Sequence, residues 1–222
     1  MMEERIQAVV FDMDGTLVDN MHMHQRAWRE FLLRYGIEMT EEEFHRKNAG
    51  TIKQVVANFF PHIEDEAELM RLGLEKEAHY QDIYRGGVEA IAGLRDFLAR
   101  LQEAGIPMAL ASAAHQGNID FTLDALGIRG FFSAITGSDE VPVGKPDPAV
   151  YLRSAEKLGV AAAACMAFED SFSGIRAALA AEMKVVALET THTREELARF
   201  PLHSVIRDYA MPDPVGFINR KT

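Results

Sequence analysis

Cysteine is nearly missing: Cys165 is the only one in 222 residues. That excludes an intrachain disulfide and a thiolate cage around a metal, and it suits a reducing compartment. Basic residues are also in deficit, 23 Lys+Arg against 34 Asp+Glu, so the formal charge is −11 and the field repels nucleic-acid phosphates and anionic membrane surfaces. No apolar run approaches the ~20 residues that a membrane span needs. The charged start Met1-Met2-Glu3-Glu4-Arg5, with a short apolar run behind it, lacks the form of a secretory leader. Internal repeats are absent, no Gly-x-Gly-x-x-Gly follows a predicted strand, and Gly137 to Lys145 has the wrong glycine spacing and a proline at 146, which excludes a P-loop. The expectation is a cytoplasmic protein with neither nucleic acid nor membrane as partner. At 48% hydrophobic and 26% charged residues, it is long enough to bury a sizeable core.

The first apolar run, Ala8-Val9-Val10-Phe11, shows no polar alternation, so it reads as a strand buried on both faces of a parallel sheet. Similar runs follow at Pro107–Ser112, Phe131–Thr136, Ala164–Glu169 and Lys184–Leu188, with helical stretches between them. This is the rhythm of a doubly wound α/β domain. From about Met21 to Tyr84 the spacing is helical throughout: Met21–Arg34, Glu41–Lys47, Ile52–Phe59, and Glu64–Tyr84 interrupted near Gly73. An α/β core over 1–19 and 86–222 is therefore expected, with a helical insertion over 20–85 that returns through Gly86-Gly87. The tail beyond Thr190 carries little pattern.

Side chains two apart in extended chain point the same way, so Asp12 and Asp14 can bring two carboxylates to the carboxyl end of the first strand, where open α/β sheets bind ligands. Asp-x-Asp-Gly alone would also suit an ordinary turn. Other strand ends carry polar groups too: Ser112 closes one, Glu169-Asp170 closes another, and Lys145 stands in the long loop after Thr136. Four carboxylates in one cleft call for a cation, and oxygen ligands beside a substrate phosphate suit Mg²⁺. With Lys145 and the Ser112 hydroxyl the pocket suits phosphoryl: Asp12 could attack phosphorus while Asp14 protonates the leaving oxygen and later activates water.

Asp12-x-Asp14-Gly15-Thr16, Ser112, Lys145 and Glu169-Asp170 resemble, in order and spacing, the four motifs of the haloacid dehalogenase superfamily. The resemblance implies a Rossmann-like parallel core with an inserted all-α four-helix cap. It makes Asp12 the nucleophile, Asp14 the acid/base, Ser112 a phosphoryl donor and Lys145 the charge balancer. Mg²⁺ would be held by Asp12, the Asp14 carbonyl and Asp170, with Glu169 a ligand or its neighbour. The stretches around His24, Ser112-Ala113 through Asn118, Lys145 and Glu169 are similar to the β-phosphoglucomutase and sugar-phosphatase subgroup. Candidate substrate contacts are accordingly Ala113, His24, Asn118, Lys76 and Lys53. The form Thr16-Leu17-Val18-Asp19, and a stretch Asn48–Lys53 without Gly-x-Ser-Arg, depart from the mutases toward the phosphatases.

Plainer readings stand beside these. Lys76, flanked by Glu75 and Glu77, reads as a solvated lysine. Trp28, Phe31 and Leu32 read as helical-domain core, Cys165 as a small buried hydrophobe, and His22 with His24 as poor joint metal ligands because they do not share a helix face. The function expected is a Mg²⁺-dependent phosphohydrolase of a small phosphorylated metabolite, a sugar phosphate, working as a monomer or weak homodimer. The alternative is a β-phosphoglucomutase. A non-enzymatic phospho-acceptor signalling domain ranks lower, since receivers are about half this length and carry no helical insertion.

Overall fold

A computed structural model describes residues 5–48 and 51–219. In chain order the elements are β1 Ala8–Phe11, α1 Met21–Arg34, α2 Glu41–Lys47, α3 Ile52–Phe59, α4 Glu66–Tyr84, α5 Leu94–Glu103, β2 Met108–Ala111, α6 Gln116–Leu126, β3 Ala134–Thr136, α7 Ala149–Leu158, β4 Cys165–Glu169, α8 Phe172–Ala180, β5 Lys184–Leu188, α9 Arg194–Leu197, β6 Ser204–Ile206 and α10 Pro214–Ile218. Two compact units result, Met1–Asp19 with Val88–Thr222, and Asn20–Gly87. No helix among the described residues is long and apolar enough to cross a membrane.

The first unit is a parallel sheet in the order β3-β2-β1-β4-β5-β6 with helices on both faces. Strand parity sorts its side chains by size. Val9, Phe11, Leu110, Phe168 and Leu188 meet α5 and α6 on one face, whereas Ala8, Ala109, Ala167 and Ala187 meet α7 and α8 on the other. The bulky face closes around an aromatic cluster in which Phe11 stacks on its register partner Phe168, centroids 5.0 Å apart. Its Tyr209 hydroxyl donates to Thr16 O at 3.0 Å. Cys165 is fully buried and burial pushes its thiol up to about 11, consistent with an inert packing role. The sheet gains one strand the sequence pattern did not announce: β6 is three half-buried residues on an edge, too short for a periodic signal.

The second unit is helical throughout its described residues, built from α1 to α4 around Trp28, Phe31, Leu32, Val56, Phe59 and Leu72. Capping boxes start α2 and α3, Thr40 with Glu43 and Thr51 with Gln54, each satisfying two otherwise orphaned backbone donors. The expected interruption at Gly73 does not occur. Helix α4 continues through it, and a Cβ there would press on Ile52 of α3, so this glycine lets two helices approach. Of the stretch Asn48–Lys53, Ala49 and Gly50 lie outside the described residues.

Candidate active site

The strand order runs outward from β1 in both directions, through β2 and β3 on one side and β4 to β6 on the other. The crevice at such a switch point is where parallel sheets hold ligands, at the carboxyl ends. Asp12 follows β1 there, with its N–H donated to Phe168 O at 3.0 Å; Ser112 follows β2, Glu169 ends β4 and Asp170 comes next. Phe11 and Met13 both pack into the bulky core, so Asp12 and Asp14 alternate away from it. Gly15 then turns the chain at φ +78°, and a Cβ on it would fall on the Asp170 carboxylate.

Lys145 joins the carboxylates. Its ammonium lies 2.6 Å from Asp12 Oδ1, 2.6 Å from Glu169 Oε1 and 3.3 Å from the Tyr151 hydroxyl. Glu169 is saturated: Oε1 also accepts from the Tyr151 hydroxyl at 3.1 Å, and Oε2 accepts the N–H groups of Asp170 and Ser171 at 2.8 Å and the Ser171 hydroxyl at 3.0 Å. Asp170 accepts from Thr16 at Oδ1, 3.3 Å away, and from Thr191 at Oδ2. Asp12 keeps Oδ2 without a hydrogen bond among the described residues, which makes it the oxygen available to a ligand.

Burial drives the electrostatics. Desolvation raises Asp12, Lys145 pulls it back and Glu169 raises it again, leaving it pushed up to about 7. Burial followed by the charges of Glu169 and Asp12 raises Asp170 well above the usual carboxylate range. Lys145 is held above its ordinary value: burial works against its charge, and the two carboxylates it touches outweigh burial. One ammonium therefore faces three buried carboxylates, Asp12, Glu169 and Asp170, whose oxygens gather within 4.8 Å of one another. The unbalanced negative charge and an all-oxygen donor set fit a hard divalent cation. Among the described residues the Asp14 carboxylate is not in that group; it is half-buried, and its charge adds a smaller push to Asp12.

Ser112 is buried to 1% exposure, and its Oγ accepts the Ala114 N–H at 3.0 Å, so the hydroxyl proton is left to donate elsewhere. Ala113 is exposed on the same loop, and Asn118 is buried on α6. His24 and Lys76 belong to the helical unit, 3.3 Å apart. The expectation of a solvated Lys76 fails. The residue is 1% exposed, with its ammonium 3.0 Å from Glu77 and 4.9 Å from the centre of the Trp28 ring. Charged sequence neighbours do not reveal that this position of α4 faces Trp28 of α1. Lys53 pairs with Glu66 at 2.7 Å on the surface. Tyr151 and Thr191 donate to carboxylates of the acidic cluster, Thr190 donates to the Gly15 carbonyl, and all three escaped the sequence reading. Tyr151 lies six positions after Lys145, on the inward face of α7, which is the one signal that pointed to it.

Known proteins resemble this chain in sequence and in fold. The chain is 30% identical over 185 residues to the fructose-1-phosphate phosphatase YqaB of Escherichia coli, covering 83% of this chain and 97% of that protein. A family IA, variant 3 hydrolase from Entamoeba histolytica superposes with a TM-score of 0.85 at 28% identity, over 96% of this chain and all of the other. A β-phosphoglucomutase from Clostridium difficile gives 0.80 at 26%, over 94% and 93%. The family model of haloacid dehalogenase-like hydrolases matches residues 6–182, from just before β1 to just before β5. That span holds Asp12, Asp14, Ser112, Lys145, Glu169 and Asp170, and the chain belongs to the haloacid dehalogenase-like hydrolase family.

Proposed function

We propose that the protein is a Mg²⁺-dependent phosphatase of a small sugar phosphate, working through an aspartyl-phosphate on Asp12. The observation that carries the reading is the triangle of Lys145 with Asp12 and Glu169 at 2.6 Å each, which leaves Asp12 Oδ2 open beside a cation-demanding carboxylate group. Asp12, Asp170 and the Asp14 carbonyl would hold the cation, while Glu169, its oxygens already committed, orients Lys145. When bound, the cation supplies charge neutralisation for a phosphoryl group next to the carboxylates.

In this reading Asp12 Oδ2 attacks phosphorus, and Lys145 on Oδ1 offsets part of the burial that disfavours the ionised nucleophile. Asp14 gives a proton to the departing sugar oxygen, then takes one from the water that releases phosphate. The Ser112 hydroxyl, its oxygen already accepting from Ala114, donates to a phosphoryl oxygen, and Ala113 offers main-chain contact beside it. YqaB is named as a fructose-1-phosphate phosphatase, which makes ketose 1-phosphates the first substrates to try. His24, Lys76 and Asn118 are assigned to substrate recognition.

The test is phosphate release from fructose 1-phosphate and a panel of hexose and pentose phosphates, with and without Mg²⁺. Steady inorganic phosphate without a bisphosphate primer supports the reading. Conversion of β-glucose 1-phosphate to glucose 6-phosphate with negligible phosphate release would replace it by the mutase.

A further inference from the structure

Three consecutive residues between β5 and α9 make contacts at or beside the acidic site. Thr190 Oγ1 donates to Gly15 O at 2.5 Å, Thr191 Oγ1 donates to Asp170 Oδ2, and the His192 ring stacks on Phe172 with centroids 3.5 Å apart and planes 5° from parallel. The Arg199 guanidinium carbon lies 3.8 Å from the centre of that same Phe172 ring. Two flat groups at those heights cannot occupy one face, so Phe172 is sandwiched between His192 and Arg199. Phe172 opens α8 two residues after Asp170, so the sandwich clamps the loop to the segment that carries the carboxylate.

The consequence for Asp170 is mechanical. Its Oδ1 receives Thr16 and its Oδ2 receives Thr191, while the bare Cα of Gly15 lies against it with no room for a side chain. Thr16 belongs to the loop after β1 and Thr191 to the loop after β5, so hydroxyls from the two neighbouring strand ends fix the carboxylate plane. A β-branched donor with restricted χ1, on a loop anchored by a stacked ring, suits that task. A divalent cation of small radius demands its oxygens in near-ideal directions, so a pre-oriented carboxylate binds it better than a freely turning one.

We propose that Thr191, held in place by the His192–Phe172–Arg199 stack, is a positioning residue that sets the divalent-cation affinity of the site. The proposal rests on the reading of Asp170 as a cation ligand. Thr191 touches the ligand's oxygen and acts through it.

Binding of Mn²⁺ to the full-length protein, followed by the electron paramagnetic resonance of the free ion and by Mg²⁺ competition, separates the two claims without using activity. Thr191→Val keeps the shape and removes the donor, and it should weaken Mn²⁺ binding by about tenfold or more. Thr191→Ser should restore most of it. Phe172→Leu, which loosens the clamp without touching Thr191, should weaken binding in the same direction and serves if the valine variant folds poorly. Wild-type affinity in Thr191→Val or Phe172→Leu, while Asp170→Asn loses binding, overturns the proposal and leaves the cation reading standing. Equal loss in Thr191→Ser and Thr191→Val assigns the effect to packing and overturns it too. Absence of binding by the wild-type protein overturns both.

Discussion

The Tyr151 hydroxyl and Glu169 Oε1 meet at 3.1 Å, on the same oxygen that receives Lys145 at 2.6 Å. The phenol is fully buried, and burial with the charges of Glu169 and Asp12 raises its pKa well above the ordinary value, so it stays a donor. Lys145 is thereby guided by a carboxylate whose every acceptor is filled. Tyr151→Phe removes one donor from a buried charged acceptor and should destabilise the protein by about 1–3 kcal/mol. Urea unfolding checks the stability. Turnover, which does not involve the phenol directly, should fall far less than in Lys145→Ala.

Gly174 opens a second view of the same carboxylate. A Cβ at this position of α8 would land on the Glu169 side chain, whose Oε2 is held by the N–H groups of Asp170 and Ser171. Gly174→Ala should therefore displace Glu169 and with it Lys145, abolishing phosphate release, even though alanine ordinarily improves a helix by about 1 kcal/mol. A variant as active and as stable as the wild type would show that Glu169 has room to retreat.

In the chelated protein, stability should depend on pH through Asp12. Its folded pKa of about 7 is raised above the ordinary value of 3.8, so the neutral acid is the form the fold favours. The associated stability is fully present below pH ~4, declines between ~4 and ~7, and is gone once pH has risen through the folded value. Asp170, raised for the same reason, acts with the same sign. Thermal unfolding with a chelator should show this decline, and saturating Mg²⁺ should flatten it. A chelated protein that gains stability from pH 4 to 7 would contradict the electrostatic account.

How much of this was legible beforehand follows from where each signal resides. Runs such as Ala8–Phe11 and Cys165–Glu169 are buried on both faces, and a continuous apolar stretch announces that directly. Asp12, Ser112 and Glu169 sit where those runs end, so the convergence of the strands brings them together. The edge strand Ser204–Ile206 is half-buried and too short to show a period. The contacts of Thr190 with Gly15 and of Thr191 with Asp170 span 175 and 21 residues of chain and depend on loop geometry, which periodicity does not encode. Gly73 and Lys76 misled for a common reason: a helix break and a helix packing site use the same glycine, and a solvated and a buried lysine share the same neighbours in sequence.

Lys76 itself yields a prediction about the helical unit. Its ammonium is buried against Glu77, His24 and Trp28, so Lys76→Met leaves Glu77 buried without that counter-charge and should destabilise by about 3–5 kcal/mol. Lys76→Met with Glu77→Gln removes both charges and should recover a large part of the loss. Denaturant unfolding of the two single variants and the double variant measures the coupling, and strict additivity would count against the pair.

Asp12→Asn separates chemistry from electrostatics because the two effects have opposite signs. The amide has nearly the size of the carboxylate but is a poor nucleophile, so phosphate release from any substrate of the wild type should fall by several orders of magnitude. The same change removes one of three crowded carboxylates, whose ionised form burial and Glu169 disfavour. Above pH 7, where the wild-type acid is ionised at a cost to the fold, the chelated variant should therefore be more stable than the chelated wild type, and its stability should vary less with pH. The gain is limited by Lys145, which loses one of its two partners at 2.6 Å and keeps Glu169. Activity assays and chelated unfolding at pH 5 and pH 8 read the two effects independently. Lost activity with lowered stability at pH 8 would mean that the Lys145–Asp12 pair outweighs the crowding. Retained activity would remove Asp12 from the nucleophile's place.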